Sequence, residues 1–453
     1  MSAEPLPREL RRYRAWALAL AMPKGVRDGA FMELVQRIEG GAFHTAPPVT
    51  LLVDGAQAFD AMVEGIDSAR EEILLETYIL RDDRIGARVS EALTAAVQRG
   101  ARVCVLVDAV GSFSTGDQFW RVLAEAGVTV RHFHRVWHLP FEALRRDHRK
   151  IIVIDRQVSF TGGMNIGEEY GSSIGGHGRA WRDTFMRVEG SVSRELAAVF
   201  AEGWDRAKGP PLPGLEYVSW SEGIVVPPLA SMQAFSARAL RARMERRMAL
   251  RRDRRRGRRV KRTDEALADA ERAVLVLDSR PGRGQREMMA VLAALVGGAR
   301  KRLWITTPYF APPTRALRLL RRAARRGVDV RLLVPGPLAD VPLVRHAAHG
   351  VYQSLLQSGV RIFEYAAATL HAKTVVVDGY ASVVGSSNLD FRSFWLNAEC
   401  NLLMFDEQCA AGLEACFLKD LSASVEVSLG QWATRTAGHR LLDAAARSMR
   451  WAL

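Results

Sequence analysis

The chain has 453 residues, of which 48% are hydrophobic and 25% charged, and it carries a formal net charge of +14 at pH 7. This length and composition predict a globular protein large enough for two domains with substantial cores. They argue against a membrane-spanning helix, because no apolar run reaches the ~18 residues that crossing a bilayer requires. The four cysteines (Cys104, Cys400, Cys409 and Cys416) show no disulfide-framework spacing, which favours a reducing cytoplasm.

The positive charge is concentrated in one segment. Residues 236–262 include fourteen basic side chains and two acidic ones, a net charge of +12, so the rest of the chain is close to neutral. On a helix this segment would place Leu240, Met244 and Met248 on one side, as in a peripheral helix on an anionic membrane. For residues 252–262 we expect disorder instead.

Residues 1–45 are predicted to be an N-terminal adaptor region. Three arginines precede a short apolar stretch, Ala15 to Met22, which ends at Pro23 and Lys24. The stretch is short for a signal peptide, and no convincing cleavage site follows it. We expect either a short helix at a membrane interface or an ordinary capping helix, and the sequence favours neither.

The first half of the chain alternates predicted strands and helices. The elements are, in order, a strand at 50–53, a helix with apolar residues from 59 to 69, a strand at 73–78, a helix at 87–97 that stops at Gly100, and a strand at 103–107. Alternation of this kind predicts an α/β layer sandwich.

One stretch of the chain occurs twice at identical spacing. The first copy contains His148, Lys150, Asp155, Gly162 and Asn165, and the second contains His371, Lys373, Asp378, Gly385 and Asn388, each pair 223 residues apart. The residues between Lys and Asp are apolar in both copies, as in a buried strand. The period of two along a strand places His and Lys of each copy on one face. Five matches across half the chain indicate a duplicated functional unit.

The elements around the motif repeat as well. Residues 69–70 and 99–100, each placed before a strand, are matched by residues 299–300 and 326–327. The chain is therefore predicted to be an α/β protein of two homologous sandwich halves, residues 46–235 and 266–453, joined by a basic linker at 236–265. A single active site is expected at the interface, where the two motif strands meet.

The doubled His-x-Lys-x4-Asp pattern resembles the signature of the phospholipase D superfamily. The flanks are similar to those of bacterial cardiolipin synthases, in the stretches Glu76-Thr77-Tyr78, Thr307-Pro308-Tyr309-Phe310 and Val334-Pro335-Gly336. The resemblance spans roughly residues 50 to 430. It implies a phosphatidyltransferase that makes cardiolipin from two phosphatidylglycerol molecules through a phosphohistidine intermediate.

The residue types of the motif suit phosphodiester chemistry. A neutral histidine can attack phosphorus, and a protonated one can give its proton to the departing oxygen. Lys150 and Lys373, with Asn165 and Asn388, can stabilise the phosphate oxygens. We see no convincing Asp/His cluster for a metal and expect neither metal nor other cofactor. The sequence does not say which histidine attacks; analogy with the family favours His148 as nucleophile and His371 as acid.

Each histidine needs a carboxylate to fix its tautomer. Asp155 and Asp378 belong to the catalytic motif, but Asp155 is seven residues beyond His148 on an extended strand, roughly 23 Å away. We expect both to order the turns that follow them. Asp183 and Glu399, which introduce equivalent strands after the glycines, are better candidates, and the family pattern also has an orienting acid in this region. Glu76, at the end of a buried strand, could line the site floor or pair with a lysine, or it could form a structural pair.

Substrate class is less sharply indicated than chemistry, because superfamily members act on lipids, nucleic acids and other phosphodiesters. Nucleic acid would call for basic residues along a groove with aromatic residues for stacking, whereas here the cations form one block. The apolar loops at 136–141 and 224–232, and the glycine-rich loop at 171–178, suit a lipid substrate, although each could be an ordinary surface or packed loop. Intact motifs argue against a non-catalytic membrane scaffold.

The expected partners are therefore phosphatidylglycerol and an anionic membrane surface, with nucleic acid unlikely. The expected location is the cytoplasmic side of the bacterial inner membrane, where the protein would be peripheral. Hydrolysis to phosphatidic acid, or nuclease activity, remains the alternative, and the oligomeric state is open.

Overall fold

The computed structural model describes residues 10–45, 49–133, 145–171, 180–215, 272–280 and 285–448. The predicted domain boundaries at residues 46, 236 and 266 lie outside these ranges, as does the basic linker. The apolar loops at 136–141 and 224–232 and the glycine-rich loop after Gly171 also lie outside them.

Strands and helices alternate through both halves. The strands are β1 (Thr50–Val53), β2 (Glu72–Thr77), β3 (Arg102–Asp108), β4 (Thr129–Phe133), β5 (Ile151–Ile154), β6 (Val158–Gly162), β7 (Thr184–Glu189), β8 (Ala273–Ser279), β9 (Arg302–Thr306), β10 (Asp329–Pro335), β11 (Arg361–Tyr365), β12 (Thr374–Val377), β13 (Ala381–Gly385), β14 (Glu399–Phe405) and β15 (Ser424–Glu426). The helices are α1 (Leu10–Ala21), α2 (Gly29–Glu39), α3 (Asp54–Ser68), α4 (Arg84–Gln98), α5 (Asp117–Glu125), α6 (Ser191–Arg206), α7 (Gln285–Gly298), α8 (Thr314–Arg325), α9 (Pro342–Leu356), α10 (Phe391–Trp395), α11 (Glu407–Ser422), α12 (Leu429–Ala433) and α13 (Ala437–Ser448). The elements predicted between residues 50 and 107 are confirmed.

The two sheets repeat one topology. The first sheet has the order β1-β7-β6-β5-β2-β3-β4, and the second has β8-β14-β13-β12-β9-β10-β11 with β15 added at its edge. In both, the three strands at one end are parallel and the motif strand joins them antiparallel. The prediction of two homologous α/β halves is confirmed.

Alternate side chains of strand β2 in the first sheet pack into two different hydrophobic cores. Ile73 and Leu75 of β2 pack with Phe59 of α3 in the outer core of the first half. Leu74 points to the other face and belongs to a core that also contains Val376 and Cys400 of the second half. Because successive side chains of β2 point to opposite faces, one face packs within the first half and the other packs against the second half.

The helices that follow the last strand of each repeat cross between the halves. Helix α6 of the first half contacts β8 of the second, and α11 of the second half contacts β1 of the first. Ile151 and Val153 of the motif strand β5 share a hydrophobic core with Val376 of the motif strand β12. Among the helices of the described ranges, none combines the length and apolar character needed to cross a membrane.

The N-terminal region packs on the second half. Ala15 and Ala19 of α1 are buried, and α1 lies along α7. The Arg300 guanidinium donates to the carbonyl oxygens of Ala19 and Leu20, both at 3.0 Å, at the C-terminal end of α1. Helix α1 thus caps the second half, and a role of this helix at a membrane stays a prediction.

The motif aspartates bind backbone rather than histidine. Asp155, at φ +48°, accepts hydrogen bonds from the amides of residues 70–72 at 2.8 Å each. Asp378, at φ +54°, accepts from the amides of residues 300–302 at 2.7 to 2.9 Å. Asp tolerates the left-handed conformation better than most residues. The expected turns do form here, but each carboxylate holds the chain that enters the neighbouring strand, β2 or β9, instead of the turn itself.

Candidate active site

Two short backbone bridges bring the halves together at the motif histidines. Asp147 pairs with Ala398, and Arg182 pairs with Leu370. The amide of His148 donates to the Ala398 carbonyl at 2.9 Å, and the amide of His371 donates to the Arg182 carbonyl at 2.8 Å. In each bridge the residue before a motif histidine meets the residue before the carboxylate of the opposite half. The bridges fix the two histidines at the junction.

Each histidine binds a carboxylate from the other half. His148 Nδ1 lies 3.0 Å from Glu399 Oε2, and His371 Nδ1 lies 2.6 Å from Asp183 Oδ2. Both carboxyl side chains are completely buried. The structure thus brings together the two acids and two histidines singled out from the sequence, in a crossed pairing. Nε2 is in each case the ring nitrogen that does not bind the carboxylate, and Nε2 of His371 lies 3.1 Å from Lys373 Nζ.

The carboxylate of Glu399 is held by several side-chain donors. Ser386 Oγ donates to it at 2.5 Å, Ser393 Oγ at 2.7 Å and Asn397 Nδ2 at 3.3 Å. Burial alone would raise the pKa of Glu399, but the charge of His148 and hydrogen bonds from His148 and Ser386 outweigh it, so the pKa is lowered. Glu399 is therefore held ionised beside His148.

The carboxylate of Asp183 has a different environment. It accepts a 2.7 Å hydrogen bond from the amide of Thr184. Gly163 occupies the position of Ser386 in the repeat, and a Cβ added there would overlap the Asp183 carboxylate. Burial raises the pKa of Asp183 to about 6, although the charge of Lys373 opposes the rise. The two histidine–carboxylate pairs are equivalent in position but not in electrostatics.

The two motif lysines are buried in the same site. Lys150 Nζ donates to the carbonyl oxygen of His148 at 2.7 Å, and Lys373 Nζ donates to that of His371. Burial lowers the pKa of Lys150 to about 7 and that of Lys373 to about 8, and the carboxylates of Glu399 and Asp183 oppose both shifts. The charge of Lys373 also lowers the pKa of Lys150, so the lysines from both halves share one electrostatic environment.

Aromatic rings enclose the histidines. The Tyr78 ring meets that of His148 edge-on with centroids 5.2 Å apart. Tyr170 and Trp181 lie at 5.3 and 5.4 Å from His371. Burial lowers the pKa of His148 despite the opposing charge of Glu399, and it lowers the pKa of His371 further, with the charge of Lys373 adding to the effect. A phosphate monoanion entering this site would favour protonation of both rings.

The two asparagines differ in what they contact. Asn165 Oδ1 accepts from the amide of Ile79 at 3.2 Å, and its Nδ2 donates to the Tyr170 hydroxyl at 2.7 Å. Asn388 is also buried, but its Oδ1 has no hydrogen-bond partner within the described residues. Asn388 Oδ1 could accept a hydrogen bond from a substrate hydroxyl, whereas a phosphate oxygen, itself an acceptor, would need a donor.

Glu76 takes part in a structural ion pair. Arg149, which separates His148 from Lys150, is 2% exposed and lies 3.5 Å from Glu76 Oε1 and 2.7 Å from Asp278 Oδ1. Of the two expectations for Glu76, the structure supports the structural pair, with an arginine rather than a lysine. The contact between Asp278 and Arg149, which precedes β5, also ties the first half to β8 of the second.

Several residues around the site were not anticipated from the sequence. They are Tyr170, Ser386, Ser393 and Arg182, whose contacts depend on the folded junction. Ser386 could have been noticed as the polar replacement of Gly163 within the aligned repeat. The described residues also include one group that could hold a metal ion, His346, His349 and Asp443, with ligand atoms within 4.8 Å of one another. This group lies between α9 and α13 and shares no residue with the candidate site.

A duplicated α/β half that contributes one histidine and one lysine per copy to a shared junction defines a phospholipase D-like enzyme. The family model described as "Cardiolipin synthase, PLD-like domain" matches residues 62–173 and 292–421. The chain is 30% identical over 441 residues to cardiolipin synthase 1 of Bacillus anthracis, covering 96% of this chain and 78% of that protein. It is 33% identical over 384 residues to cardiolipin synthase A of Pseudomonas putida, covering 84% and 69%.

The fold comparison agrees. The crystal structure of phosphatidylserine synthase from Haemophilus influenzae superimposes with a TM-score of 0.67 at 17% identity, covering 94% of this chain and all of that one. At this identity the likeness concerns the fold alone. From the sequence comparisons, the chain belongs to the phospholipase D-like cardiolipin synthase family.

Proposed function

We propose that the protein transfers a phosphatidyl group from one phosphatidylglycerol molecule to the glycerol hydroxyl of a second, producing cardiolipin and free glycerol. The observation that carries this proposal is the crossed pairing of His148 with Glu399 and of His371 with Asp183 at one buried junction. Cardiolipin synthases that are similar over most of the chain support the choice of lipid substrate.

In the first step, Nε2 of His148 attacks phosphorus and the bond from phosphorus to the glycerol oxygen breaks. His371, protonated, gives its proton to that oxygen, so glycerol leaves as a neutral alcohol. The product is a phosphatidyl group on His148. Lys150 and Lys373 stabilise the charge that builds on the phosphate oxygens.

In the second step, His371 accepts the proton of the incoming glycerol hydroxyl. The hydroxyl oxygen attacks phosphorus, and the bond between phosphorus and His148 breaks. Cardiolipin is released and both histidines return to their starting states. Water in place of the second lipid would give phosphatidic acid, so exclusion of water from the buried site favours transfer over hydrolysis.

The two carboxylates support the assignment of His148 as nucleophile, although the pKa of His371 is lowered further than that of His148, which by itself favours the opposite assignment. Formation of the phosphohistidine places positive charge on the ring, which an ionised carboxylate stabilises. Glu399 has a lowered pKa and three side-chain donors besides His148, whereas burial raises the pKa of Asp183 to about 6. The more firmly ionised partner therefore belongs to the histidine that becomes cationic.

We further propose that the enzyme acts as a peripheral protein at the cytoplasmic face of the bacterial inner membrane. Support comes from the basic segment at 236–262, which suits an anionic lipid surface. The four cysteines are free thiols, as a reducing compartment allows.

The test is incubation of purified protein with defined phospholipids, followed by mass spectrometry of the products. Phosphatidylglycerol alone should give cardiolipin and an equal amount of glycerol, and activity should survive EDTA. Phosphatidic acid as the main product would instead identify a hydrolase. Cleavage of DNA without any lipid product would support the nuclease alternative.

A further inference from the structure

Arg182 lies where the two halves of the chain meet. It immediately precedes Asp183, is 7% exposed, and comes from the first half. Its Nε lies 3.0 Å from both carboxylate oxygens of Asp420, in helix α11 of the second half. The equivalent residue of the second repeat is Ala398, which can make no such pair. The ion pair is therefore present on one side of the site and absent on the other.

The same residue contacts the backbone on both sides of the Asp183–His371 pair. Its carbonyl oxygen accepts hydrogen bonds from the amides of His371 at 2.8 Å and Ala372 at 3.1 Å. Its Nη1 donates to the carbonyl oxygen of Asp183 at 2.6 Å and to Thr184 Oγ1 at 3.0 Å. A shift of Arg182 would move the carboxylate and the imidazole relative to each other.

The two histidine-binding carboxylates are thus held in different ways. Glu399 is fixed directly by donors from Ser386, Ser393 and Asn397. Among the hydrogen bonds of the described residues, the Asp183 carboxylate has besides His371 only the amide of Thr184. Its position must follow from its backbone, which Arg182 anchors.

We propose that Arg182 and Asp420 form a positioning pair that sets the geometry between Asp183 and His371, and thereby the delivery of the proton to the leaving alcohol. The inference rests on the proposed function, in which His371 is the acid. Removing one member of a buried ion pair leaves the other charge without its partner, which is strongly destabilising, whereas replacing both with apolar side chains is often tolerated. Asp54, 3.6 Å from Arg182, is a further acid at this point.

The experiment compares two substrates that differ in how much they need the acid. Phosphatidylglycerol releases glycerol, whose oxygen must be protonated, while phosphatidyl-p-nitrophenol releases a stable phenolate. The variants are Arg182→Lys, Asp420→Asn and the apolar double variant Arg182→Met with Asp420→Leu, which preserves folding if the single changes do not. The matched control is Glu414→Gln on the same helix, which breaks the bidentate pair with Arg302 at 2.6 and 2.7 Å.

The three variants should lose turnover on phosphatidylglycerol by about 10²-fold, as expected for a misplaced catalytic group. The rate of the initial p-nitrophenolate burst should change little, because that step needs attack by His148 but no acid. The Glu414→Gln control should keep both activities. Equal losses on both substrates, or full turnover of phosphatidylglycerol by the folded double variant, would overturn the inference. His371→Ala separates this from the proposed function. If His371→Ala turns over phosphatidylglycerol normally, the proposed function is wrong. If His371→Ala is inactive but the variants of Arg182 and Asp420 are normal, only the proposed positioning pair is wrong.

Discussion

Gly163 and Ser386 occupy the same position of the repeat, yet only Ser386 donates a hydrogen bond to the carboxylate beside it. Its Oγ lies 2.5 Å from Glu399 Oε2, whereas a side chain at Gly163 would overlap the carboxylate of Asp183. One position of the repeat thus supplies a donor to one acid and none to the other, and the site is asymmetric although the fold is repeated.

Replacing Ser386 with Ala tests this asymmetry. The change removes a hydrogen bond to a charged group, worth about 1.5–3 kcal/mol, so the pKa of Glu399 should rise and the charged form of His148 should be less stabilised. Rapid-quench measurement should show phosphoenzyme formation slowed by about tenfold or more. The control is Ser382→Ala, a buried serine of strand β13 whose hydroxyl donates to Cys409 Sγ at 4.0 Å, and this variant should form phosphoenzyme at the parent rate.

The two histidines should be individually essential. His148→Ala and His371→Ala should each abolish turnover with the fold intact, since attack and proton transfer need both rings. Of the two, only the variant that retains His148 should trap labelled phosphoenzyme, because the nucleophile is still present. Circular dichroism provides the folding control, and near-normal turnover by either variant would contradict a single shared site.

The rate should depend on pH in two ways. Burial lowers the pKa of both histidines, so the singly protonated pair is most populated on the acidic side of ordinary histidine. The optimum of kcat/KM should therefore lie below about pH 6.5, with limbs that belong to the pair. Above it, KM should rise through pH 7 to 8, because Lys150 and Lys373, with pKa values of about 7 and about 8, lose the charge that binds phosphate. Steady-state rates on dispersed short-chain phosphatidylglycerol measure both, and a KM independent of pH would contradict the role of the lysines.

Asp155 should matter for stability more than for catalysis. Asp155→Ala removes an acceptor for three backbone amides, so we expect a loss of about 1–3 kcal/mol in the free energy of unfolding. The folded fraction should keep its specific activity. Denaturant unfolding beside an activity assay measures both, with Asp378→Ala as the matched variant of the second half. A fully folded but inactive Asp155→Ala protein would instead indicate a catalytic role for this aspartate.

The basic segment separates lipid from nucleic-acid substrates. Neutralising Arg246, Arg247, Arg251, Arg252, Arg254, Arg255 and Arg256 should weaken co-sedimentation with phosphatidylglycerol vesicles, most at low salt, since each basic residue near an anionic leaflet contributes about 1 kcal/mol. Activity on monomeric short-chain substrate should change little. Zwitterionic vesicles serve as the control. Unchanged vesicle binding, with DNA cleavage that the parent shows and the variant loses, would point to a nuclease.

Much of the architecture could be predicted from the sequence, because strands and turns depend on short-range residue patterns. Apolar strands such as Ile151–Ile154 and the glycines around them follow from short-range patterning. The distance argument also kept Asp155 away from His148. It could not show that Asp155 binds the start of β2, because the antiparallel neighbour of β5 is set by the pairing of strands distant in sequence.

The sequence predicted which residues form the candidate site, but not which histidine pairs with which carboxylate. Asp183 and Glu399 could be selected because they precede equivalent strands. The sequence could not show that each acid binds the histidine of the other half, since this pairing is decided by how the two sheets dock. The same holds for Arg182, whose partner Asp420 lies 238 residues away. Contacts of this kind follow from tertiary packing and leave no periodic signal in the chain.

Because each histidine pairs with a carboxylate of the other repeat, catalysis requires that the two repeats be docked. Each repeat taken alone holds a histidine without its carboxylate and a carboxylate without its histidine, so we expect neither fragment to be even weakly competent. Separation of the repeats would uncouple both pairs in the same event. Lipid turnover in this enzyme is thus a direct readout of whether its two repeats are docked.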